Sequence, residues 1–276
     1  MSATKSKRVP KSGADKYLLY QNAVQSPSTH VDWLLASWRD LRREAPLPRL
    51  LREDFCGTFA ISCEWVKRDA RHTSLGLDLD PEPLTWGRRH NLAALDRSQR
   101  ARVDIRQENV LTRTRPGADL IYAGNFSFFI FHERLQLLDY FRVARDSLSK
   151  NGLLVLEMAG GPGMIAPVRE KKTVRLGKDH KYQYIWHQKS FDPIQNRGHY
   201  AIHFRDESGM RLDDAFTYDW RLWSVPEIRD LLRDAGFSKS VVYWEKSVRG
   251  EGTGDYVPME EGDNAYSWIA YVVGVR

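Results

Sequence analysis

Residues 50–80 have the sequence LLREDFCGTFAISCEWVKRDARHTSLGLDLD, and this stretch decides the fold. After a short first strand, its pattern predicts a tight turn at 54–58, a helix at 59–67 and a second strand at 73–77. This order is typical of a βαβ unit that binds a nucleotide, in which the first turn brings the backbone close to the ligand. In such units an acidic residue about 20 positions later accepts hydrogen bonds from ribose hydroxyls, and Asp78 has this spacing.

The turn lacks the G-x-G-x-x-G pattern of dinucleotide sites, which favours another adenosine ligand. Residues 53–59, EDFCGTF, resemble the first motif of class I S-adenosylmethionine-dependent methyltransferases, often written D-x-G-C-G-T-G. They match it at the acid, the Cys, the middle Gly and the Thr, whereas Phe55 and Phe59 stand where that family usually has Gly. Residues 76–81, GLDLDP, are similar to the second motif, with Asp78 at the ribose-binding position. The D-F-C-G-T turn is also similar to that of a group of bacterial sequences, a likeness that implies no particular acceptor.

The resemblance implies S-adenosylmethionine as the cofactor and assigns roles to several positions. Asn109, after the third predicted strand, stands where many of these enzymes bind the adenine amino group. Leading helices often lie across the cofactor site as a lid in this family, and Tyr20 is a lid candidate. The residues predicted to bind the cofactor are Tyr20, Glu53, Asp54, Phe55, Cys56, Gly57, Thr58, Asp78, Leu79, Asn109, Val110, Asn125 and Phe126.

Strands and helices alternate from residue 50 to residue 158, which predicts a doubly wound, mostly parallel sheet. The predicted strand at 153–157, with four apolar residues before Glu157, is typical of a strand buried inside such a sheet. Two later strands, at 241–244 and 268–273, resemble the antiparallel hairpin that ends the class I methyltransferase sheet. The predicted fold is therefore an α/β fold with a doubly wound, mostly parallel, seven-stranded sheet.

Polar residues follow several of the predicted parallel strands at their carboxyl ends. They are residues 54–58, Asp78, Asn109, Asn125 and Glu157. Ligands of doubly wound folds bind outside the carboxyl ends of the strands, near the point where the strand order reverses. We therefore expect these residues to lie around one ligand site.

After residue 158 the pattern changes to short alternating strands separated by Gly-containing turns, which predicts an antiparallel β insertion after the fifth strand. Insertions at this point often build the acceptor site in the resembling fold. The fourth motif position, residues 125–128, lacks the proline pair of enzymes that methylate adenine or glutamine amides. The residues predicted to bind the substrate are Ser127, Phe128, Glu157, Tyr200, His203, Trp220 and Arg221, and no catalytic residue is assigned.

The chain divides by pattern into five segments. They are a disordered basic tail at 1–13, a helical lid at 14–48, a cofactor-binding α/β core at 49–158, a β-rich substrate insertion at 159–220 and a completion of the core sheet at 221–276.

The 276 residues are 42% hydrophobic and carry a formal net charge of +6. Acidic residues offset most of the basic ones, and no basic stripe with interleaved aromatic residues indicates a nucleic acid groove. No apolar run is long enough for a membrane span, and the N-terminus lacks the apolar core of a signal peptide. Two Cys residues cannot form a disulfide framework, and no metal-ligand spacing occurs, so we expect a cytoplasmic protein without a metal site.

These patterns predict an S-adenosylmethionine-dependent methyltransferase that acts on a small molecule by in-line methyl transfer. Three alternatives stay open at this point: an RNA methyltransferase, a hydride-transfer enzyme with a nucleotide-binding domain, and a non-catalytic protein that binds S-adenosylmethionine. Phe55 and Phe59 are the residues that support the non-catalytic alternative. The sequence does not define the oligomeric state or the acceptor.

Overall fold

The computed structural model describes residues 15–176, 180–248 and 251–276, so the predicted tail at 1–13 lies outside the described residues. The helices are α1 Lys16–Val24, α2 Pro27–Leu41, α3 Ala60–Arg68, α4 Pro81–Gly87, α5 Arg97–Arg100, α6 Arg134–Ser147 and α7 Val225–Asp234. The strands are β1 Leu50–Asp54, β2 Thr73–Asp78, β3 Val103–Gln107, β4 Ala118–Ala123, β5 Leu148–Gly160, β6 Val168–Leu176, β7 His180–Asp192, β8 Arg197–Asp206, β9 Arg211–Arg221, β10 Lys239–Val248, β11 Glu251–Pro258 and β12 Trp268–Val275.

The main sheet has the strand order β11-β10-β12-β5-β4-β1-β2-β3. β3, β2, β1, β4 and β5 pair in parallel, and β12 returns antiparallel between β5 and β10. This is the predicted doubly wound, mostly parallel sheet, and its order reverses between β1 and β4. Ligands of such folds bind beside this reversal, at the carboxyl ends of the strands.

The sheet has one strand more than the seven predicted. The extra strand, β11, pairs antiparallel with β10 at the edge of the sheet. Its sequence, EGTGDYVP, contains two glycines and mostly polar residues, so it resembles a loop rather than a strand. Edge strands need little apolar sequence because one side of them faces solvent, which is why the pattern did not predict this one.

The second sheet is the antiparallel insertion predicted after the fifth strand. It has the order β6-β7-β8-β9, and each strand pairs antiparallel with the next. Its contacts with the rest of the chain include Tyr200 and Trp220, which belong to the main hydrophobic core. The insertion is therefore joined to the nucleotide-type sheet by apolar packing as well as by the chain.

The two N-terminal helices have different positions. α2 packs on α3, and its residues Val31, Leu34 and Trp38 are buried in the core on that side of the main sheet. α1 instead contacts the second sheet, where Leu19 is buried and the Tyr182 hydroxyl donates to the Leu19 carbonyl at 2.9 Å. The segment predicted as a helical lid, 14–48, thus has one helix on the second sheet and one on α3, and its role as a lid stays a prediction.

Candidate functional site

A cavity of about 520 Å³ opens at the carboxyl ends of β1, β2 and β4. Of the residues predicted at the strand ends, 54–58, Asp78 and Asn125 lie around it together with α1 and part of β9, whereas Asn109 and Glu157 do not line it. The lining includes Tyr17, Tyr20, Gln25, His30, Glu53, Asp54, Phe55, Cys56, Gly57, Thr58, Asp78, Tyr122, Asn125, Ser127, Phe216, Tyr218 and Trp220. We call this space the first cavity.

The turn between β1 and α3 has an unusual backbone. Phe55, Gly57 and Phe59 all have left-handed φ angles, of 54°, 51° and 48°. Bulky residues rarely adopt this conformation, which glycine adopts without cost. Phe59 is fully buried and the Phe55 ring packs at 5.8 Å from the Tyr140 ring, so burial of the rings offsets the strain. The two phenylalanines therefore keep the backbone conformation that glycine would give, and their presence is no argument against a working turn.

Gly57 and Asp78 join the turn to the end of β2. The Gly57 amide donates to Asp78 Oδ2 at 2.7 Å, and the Asp80 amide donates to Asp78 Oδ1 at 2.9 Å. A Cβ atom added at Gly57 would meet nothing within 4 Å, because this residue faces open space at the cavity. Burial raises the pKa of Asp78 despite these amide contacts. The Asp78 carboxylate, which has lone pairs left to accept further hydrogen bonds, thus lies beside the Gly57 backbone, which no side chain covers.

Glu53 and Asp54 are adjacent buried acids with different surroundings. Glu53 Oε2 accepts hydrogen bonds from the Ser62 amide at 2.8 Å and the Ser62 hydroxyl at 2.6 Å, and burial raises its pKa to about 7. Asp54 is bonded through both oxygens, to Arg52 Nε at 2.7 Å and to the Tyr140 hydroxyl at 2.9 Å. Glu53 is therefore the acid of this pair that keeps an oxygen for a ligand, and Asp54 holds the strand end in place.

Helix α1 covers the first cavity through contacts near both of its ends. Lys16 forms a 2.6 Å salt bridge with Glu82, and Asp15 accepts a hydrogen bond from the Trp86 indole. Further along, Gln21 donates to the Thr58 hydroxyl at 2.8 Å. These contacts tie α1 to α4 and to the turn after β1, so the helix limits the access of solvent to the site.

His30 and Tyr122, which line the first cavity, form a polar group with Glu157. Glu157 Oε2 accepts from the Tyr122 hydroxyl at 3.0 Å and from the Asn125 amide at 2.6 Å, and Oε1 lies 3.9 Å from His30 Nε2. Burial lowers the pKa of His30, but the Glu157 carboxylate outweighs it and the net shift is upward. Burial by itself would raise the pKa of Glu157, but its interactions with His30, Asn125 and Tyr122 outweigh burial and leave the pKa below its ordinary value. The pair is therefore stabilised as an ion pair.

A second cavity, of about 390 Å³, lies between the main sheet, α1 and the second sheet. It is lined mainly by aromatic and acidic side chains: Tyr20, Phe126, Glu157, Glu170, Tyr184, Trp186, Tyr218, Trp220, Glu245 and Trp268. Tyr20, Asn125, Tyr218 and Trp220 line both cavities. The two spaces therefore meet at one shared wall.

The shared wall contains another strained turn, after β4. Asn125 and Phe126 have left-handed φ angles of 51° and 57°. The Ser127 hydroxyl donates to the Gly124 carbonyl at 2.7 Å and lies in the first cavity, whereas Phe128 is fully buried in the core. The two hydroxyls of Tyr20 and Tyr218 are hydrogen-bonded across the wall, and burial raises the pKa of Tyr20 to about 12.

Three residues predicted to bind the cofactor line neither cavity. Leu79 is 60% exposed, and Asn109 is exposed, where its side-chain oxygen accepts from the Leu111 amide at 2.9 Å. Val110 is buried, and its carbonyl accepts from Arg52 Nη2 at 2.6 Å. They follow β2 and β3 at the cavity side of the sheet, and their contact with a cofactor stays a prediction.

Four residues predicted to bind the substrate line neither cavity: Phe128, which is buried in the core, and Tyr200, His203 and Arg221. Tyr200 stacks on Trp186 and donates to the Met164 carbonyl at 3.0 Å. His203 is buried, with Nε2 3.1 Å from His187 Nδ1, and Arg221 lies over the Trp223 ring at 3.7 Å. Of these side chains, Tyr200 packs directly against a lining residue of the second cavity, Trp186, and direct contact of all four with a substrate stays a prediction.

Sequence reasoning missed several residues of the two cavities, although signals for them exist. His30 precedes Leu34 by one helical turn, so it extends the buried face of α2 toward the site. Tyr184 and Trp186 alternate with other residues along β7, which places both on one face of the second sheet. Trp268 opens β12, and only the tertiary fold shows that it faces the second cavity.

The described ranges contain neither a cluster of metal-ligating side chains nor a membrane-spanning helix. No group of three or more His, Cys, Asp or Glu side chains is arranged to hold a metal ion there. Among the same residues, no helix has the length and apolar character needed to cross a membrane.

No family model and no curated protein matches the chain. Solved structures with similar folds include the sugar N-methyltransferase KedS8 from Streptoalloteichus, at 16% identity, with 100% of this chain and 98% of that chain covered and a TM-score of 0.65. An S-adenosylmethionine-dependent methyltransferase from Clostridium acetobutylicum has 13% identity, coverages of 93% and 96% and a TM-score of 0.66. The S-adenosylmethionine-bound amino pentose methyltransferase CalS10 from Micromonospora echinaspora has 16% identity, coverages of 92% and 95% and a TM-score of 0.64. The chain therefore has the α/β fold of class I S-adenosylmethionine-dependent methyltransferases.

Proposed function

We propose that the protein transfers a methyl group from S-adenosylmethionine to a small-molecule acceptor. The observation that carries this proposal is the pair of cavities with one shared wall, formed by Tyr20, Asn125, Tyr218 and Trp220. Two ligands bound one in each cavity would meet at these four residues. Much of the catalysis of a displacement reaction can come from holding the reactants in line.

The residues of the first cavity fit S-adenosylmethionine. Gly57 leaves open space where a side chain would stand, Asp78 offers a carboxylate to a ribose diol, and Glu53 offers one to an amino group. When bound, S-adenosylmethionine supplies an electrophilic methyl group on a sulfonium sulfur. The chain itself would bind, orient and shield the reactants: α1 covers the first cavity, and the ion pair of His30 and Glu157 fixes the Asn125 turn.

Two of the similar structures, a sugar N-methyltransferase and an amino pentose methyltransferase, support a small-molecule acceptor. The shape and charge of the second cavity point the same way, because it is bounded by the second sheet and its charged lining residues are carboxylates. Carboxylates repel a phosphate backbone, on which RNA binding depends.

Calorimetry with S-adenosylmethionine, S-adenosylhomocysteine and NAD tests the proposal. We expect binding of the first two and none of NAD; binding of NAD alone would favour hydride transfer. A screen of metabolites with labelled methyl donor then tests transfer. Label that enters bulk tRNA or rRNA with the protein truncated to residues 14–276 would favour RNA as the acceptor, and binding without any transfer would favour the non-catalytic alternative.

Asp78→Asn should weaken S-adenosylmethionine binding about tenfold or more, because a hydrogen bond to a charged group contributes roughly 1.5–3 kcal/mol. The amide oxygen of Asn can still accept from the Gly57 amide, so the turn should be retained. Calorimetry measures the change, with Asp104→Asn on the exposed neighbouring strand β3 as the control. Equal affinity of wild type and Asp78→Asn would contradict the ribose-binding role.

Glu53 should make S-adenosylmethionine binding depend on pH. Its pKa is raised to about 7, so the carboxyl group is mostly neutral below that pH and attracts a ligand ammonium only weakly. We expect affinity to fall about five- to tenfold from about pH 7.5 to about pH 6. Glu53→Gln should bind more weakly at pH 7.5 and lose this dependence. A wild-type affinity that is constant over this range would show that Glu53 does not bind the amino group.

A further inference from the structure

We propose that the second cavity binds a positively charged nitrogen, so that the acceptor of the proposed methyl transfer is an amine. The identification of this nitrogen as the methyl acceptor rests on the proposed function. Binding of a cation in the second cavity can nevertheless be measured without any methyl transfer.

The charged residues of the second cavity carry one sign. Glu157, Glu170 and Glu245 line it, and none of its described lining residues is Lys, Arg or His. Glu157 forms an ion pair with His30, which lines the first cavity and not the second. Within the described ranges, no salt bridge neutralises Glu170 or Glu245, and the latter accepts a hydrogen bond from the Gly254 amide through Oε1. The cavity therefore has a negative field that attracts a cationic ligand.

Aromatic rings form the walls between these acids. The Tyr218 and Trp220 rings stack at 4.4 Å, and the Trp186 ring lies 6.1 Å from each of them. Tyr184 and Trp268 add further rings to the lining. Ring faces attract ammonium groups, most strongly for Trp, and this attraction rises when water is excluded. Acids and aromatic faces together are the chemistry that recognises an ammonium group.

Other acceptor classes fit the same lining less well. A carboxylate or phosphate group would be repelled by Glu170 and Glu245, and an uncharged hydroxyl could donate a hydrogen bond to them but would gain no cation–π attraction from the rings. An amine alone uses both the acids and the rings.

Transfer to an amine is chemically balanced. The bound ammonium first loses one proton to water, and the freed lone pair forms the new nitrogen–carbon bond. The electron pair of the broken carbon–sulfur bond stays on sulfur and yields S-adenosylhomocysteine. The nitrogen that forms this bond takes over the positive charge of the sulfonium, so the methylated amine leaves as a cation.

The test compares choline with its uncharged isostere 3,3-dimethylbutan-1-ol in ligand-observed NMR titrations of the full chain. The two probes have the same shape, so a difference in affinity measures the response to charge. We expect choline to bind about tenfold more tightly. Equal affinities would overturn the proposal.

Paired variants locate the cation. Glu170→Gln combined with Glu245→Gln should weaken choline binding severalfold and leave the isostere unchanged, since both side chains keep their shape. Glu260→Gln, an exposed acid outside this cavity, is the matched control and should change neither. Choline binding that the double variant does not weaken would place the cation elsewhere and overturn the proposal.

Calorimetry with S-adenosylmethionine on the same samples separates this inference from the proposed function. If S-adenosylmethionine binds and choline shows no preference over its isostere, only the amine inference falls. If choline binding depends on Glu170 and Glu245 but S-adenosylmethionine does not bind, the cation site stands and the proposed methyl transfer falls.

Discussion

Gly57→Val is expected to abolish S-adenosylmethionine binding while the protein stays folded. The φ angle of Gly57 is 51°, which a β-branched residue adopts only with strain of about 1–3 kcal/mol. More important, the added side chain would project into open space at the first cavity, where the protein backbone is predicted to contact the ligand. Circular dichroism should retain the helical signal, and calorimetry should give no detectable heat of binding.

Gly209→Val is the matched control for this prediction. Gly209 also has a left-handed backbone, with φ of 90°, and a Cβ atom there would likewise meet nothing within 4 Å. It lies in the exposed turn between β8 and β9 and lines neither cavity. If Gly209→Val is similarly strained and still binds S-adenosylmethionine normally, the loss of binding in Gly57→Val comes from the side chain that blocks the ligand. Normal binding by Gly57→Val would instead show that the cofactor turn lies elsewhere.

The fold and the first cavity were largely predictable because they depend on local pattern. Alternating strands and helices from residue 50 to residue 158 led to the doubly wound sheet, and the acids at the strand ends led to the cavity. The two phenylalanines of the turn were harder to interpret. Residue type alone supported the non-catalytic alternative, whereas the backbone angles of Phe55 and Phe59 retain the conformation typical of glycine.

The second cavity was less predictable because its residues come from distant parts of the chain. Glu170 lies on β6, Glu245 on β10 and Trp268 on β12, and only the packing of the two sheets brings them together. The predicted Tyr200 and His203 belong to the second sheet but line neither cavity, and their side chains bond to Met164 and His187 instead. Alternation along a strand shows which residues share a face, but not which face meets the ligand.

Asn109 illustrates another limit. The position after a strand is visible in the sequence, but the direction of its side chain depends on the loop, and here the oxygen accepts from the Leu111 amide. That loop is held by Arg52, whose Nη2 donates to the Val110 carbonyl at 2.6 Å and whose Nη1 donates to the Thr112 carbonyl at 3.0 Å. A fully buried arginine inside the first strand is a constraint that pattern reasoning did not use.

Arg52→Met should therefore cause a large loss of stability. Arg52 and Asp54 are both buried, and the substitution leaves the Asp54 carboxylate with only the Tyr140 hydroxyl as a partner. Removal of one partner of a buried ion pair costs about 3–5 kcal/mol, because the remaining charge is uncompensated. For a chain of this size we expect the Tm to fall by about 10 °C.

Two further variants separate the lost charge pair from the lost arginine volume. Arg106→Met removes one partner of an exposed pair with Asp104, where solvent screens the charges, so the Tm should hardly change. Arg52→Met combined with Asp54→Asn removes the unpaired charge and should regain part of the lost Tm.

The loss of Tm caused by Arg52→Met alone should also become smaller at acidic pH, because burial already raises the pKa of Asp54 and protonation removes the charge. A Tm loss that is the same at all pH values and in the double variant would show that packing and the bonds to the 110–114 loop, rather than the charge pair, hold this end of the site.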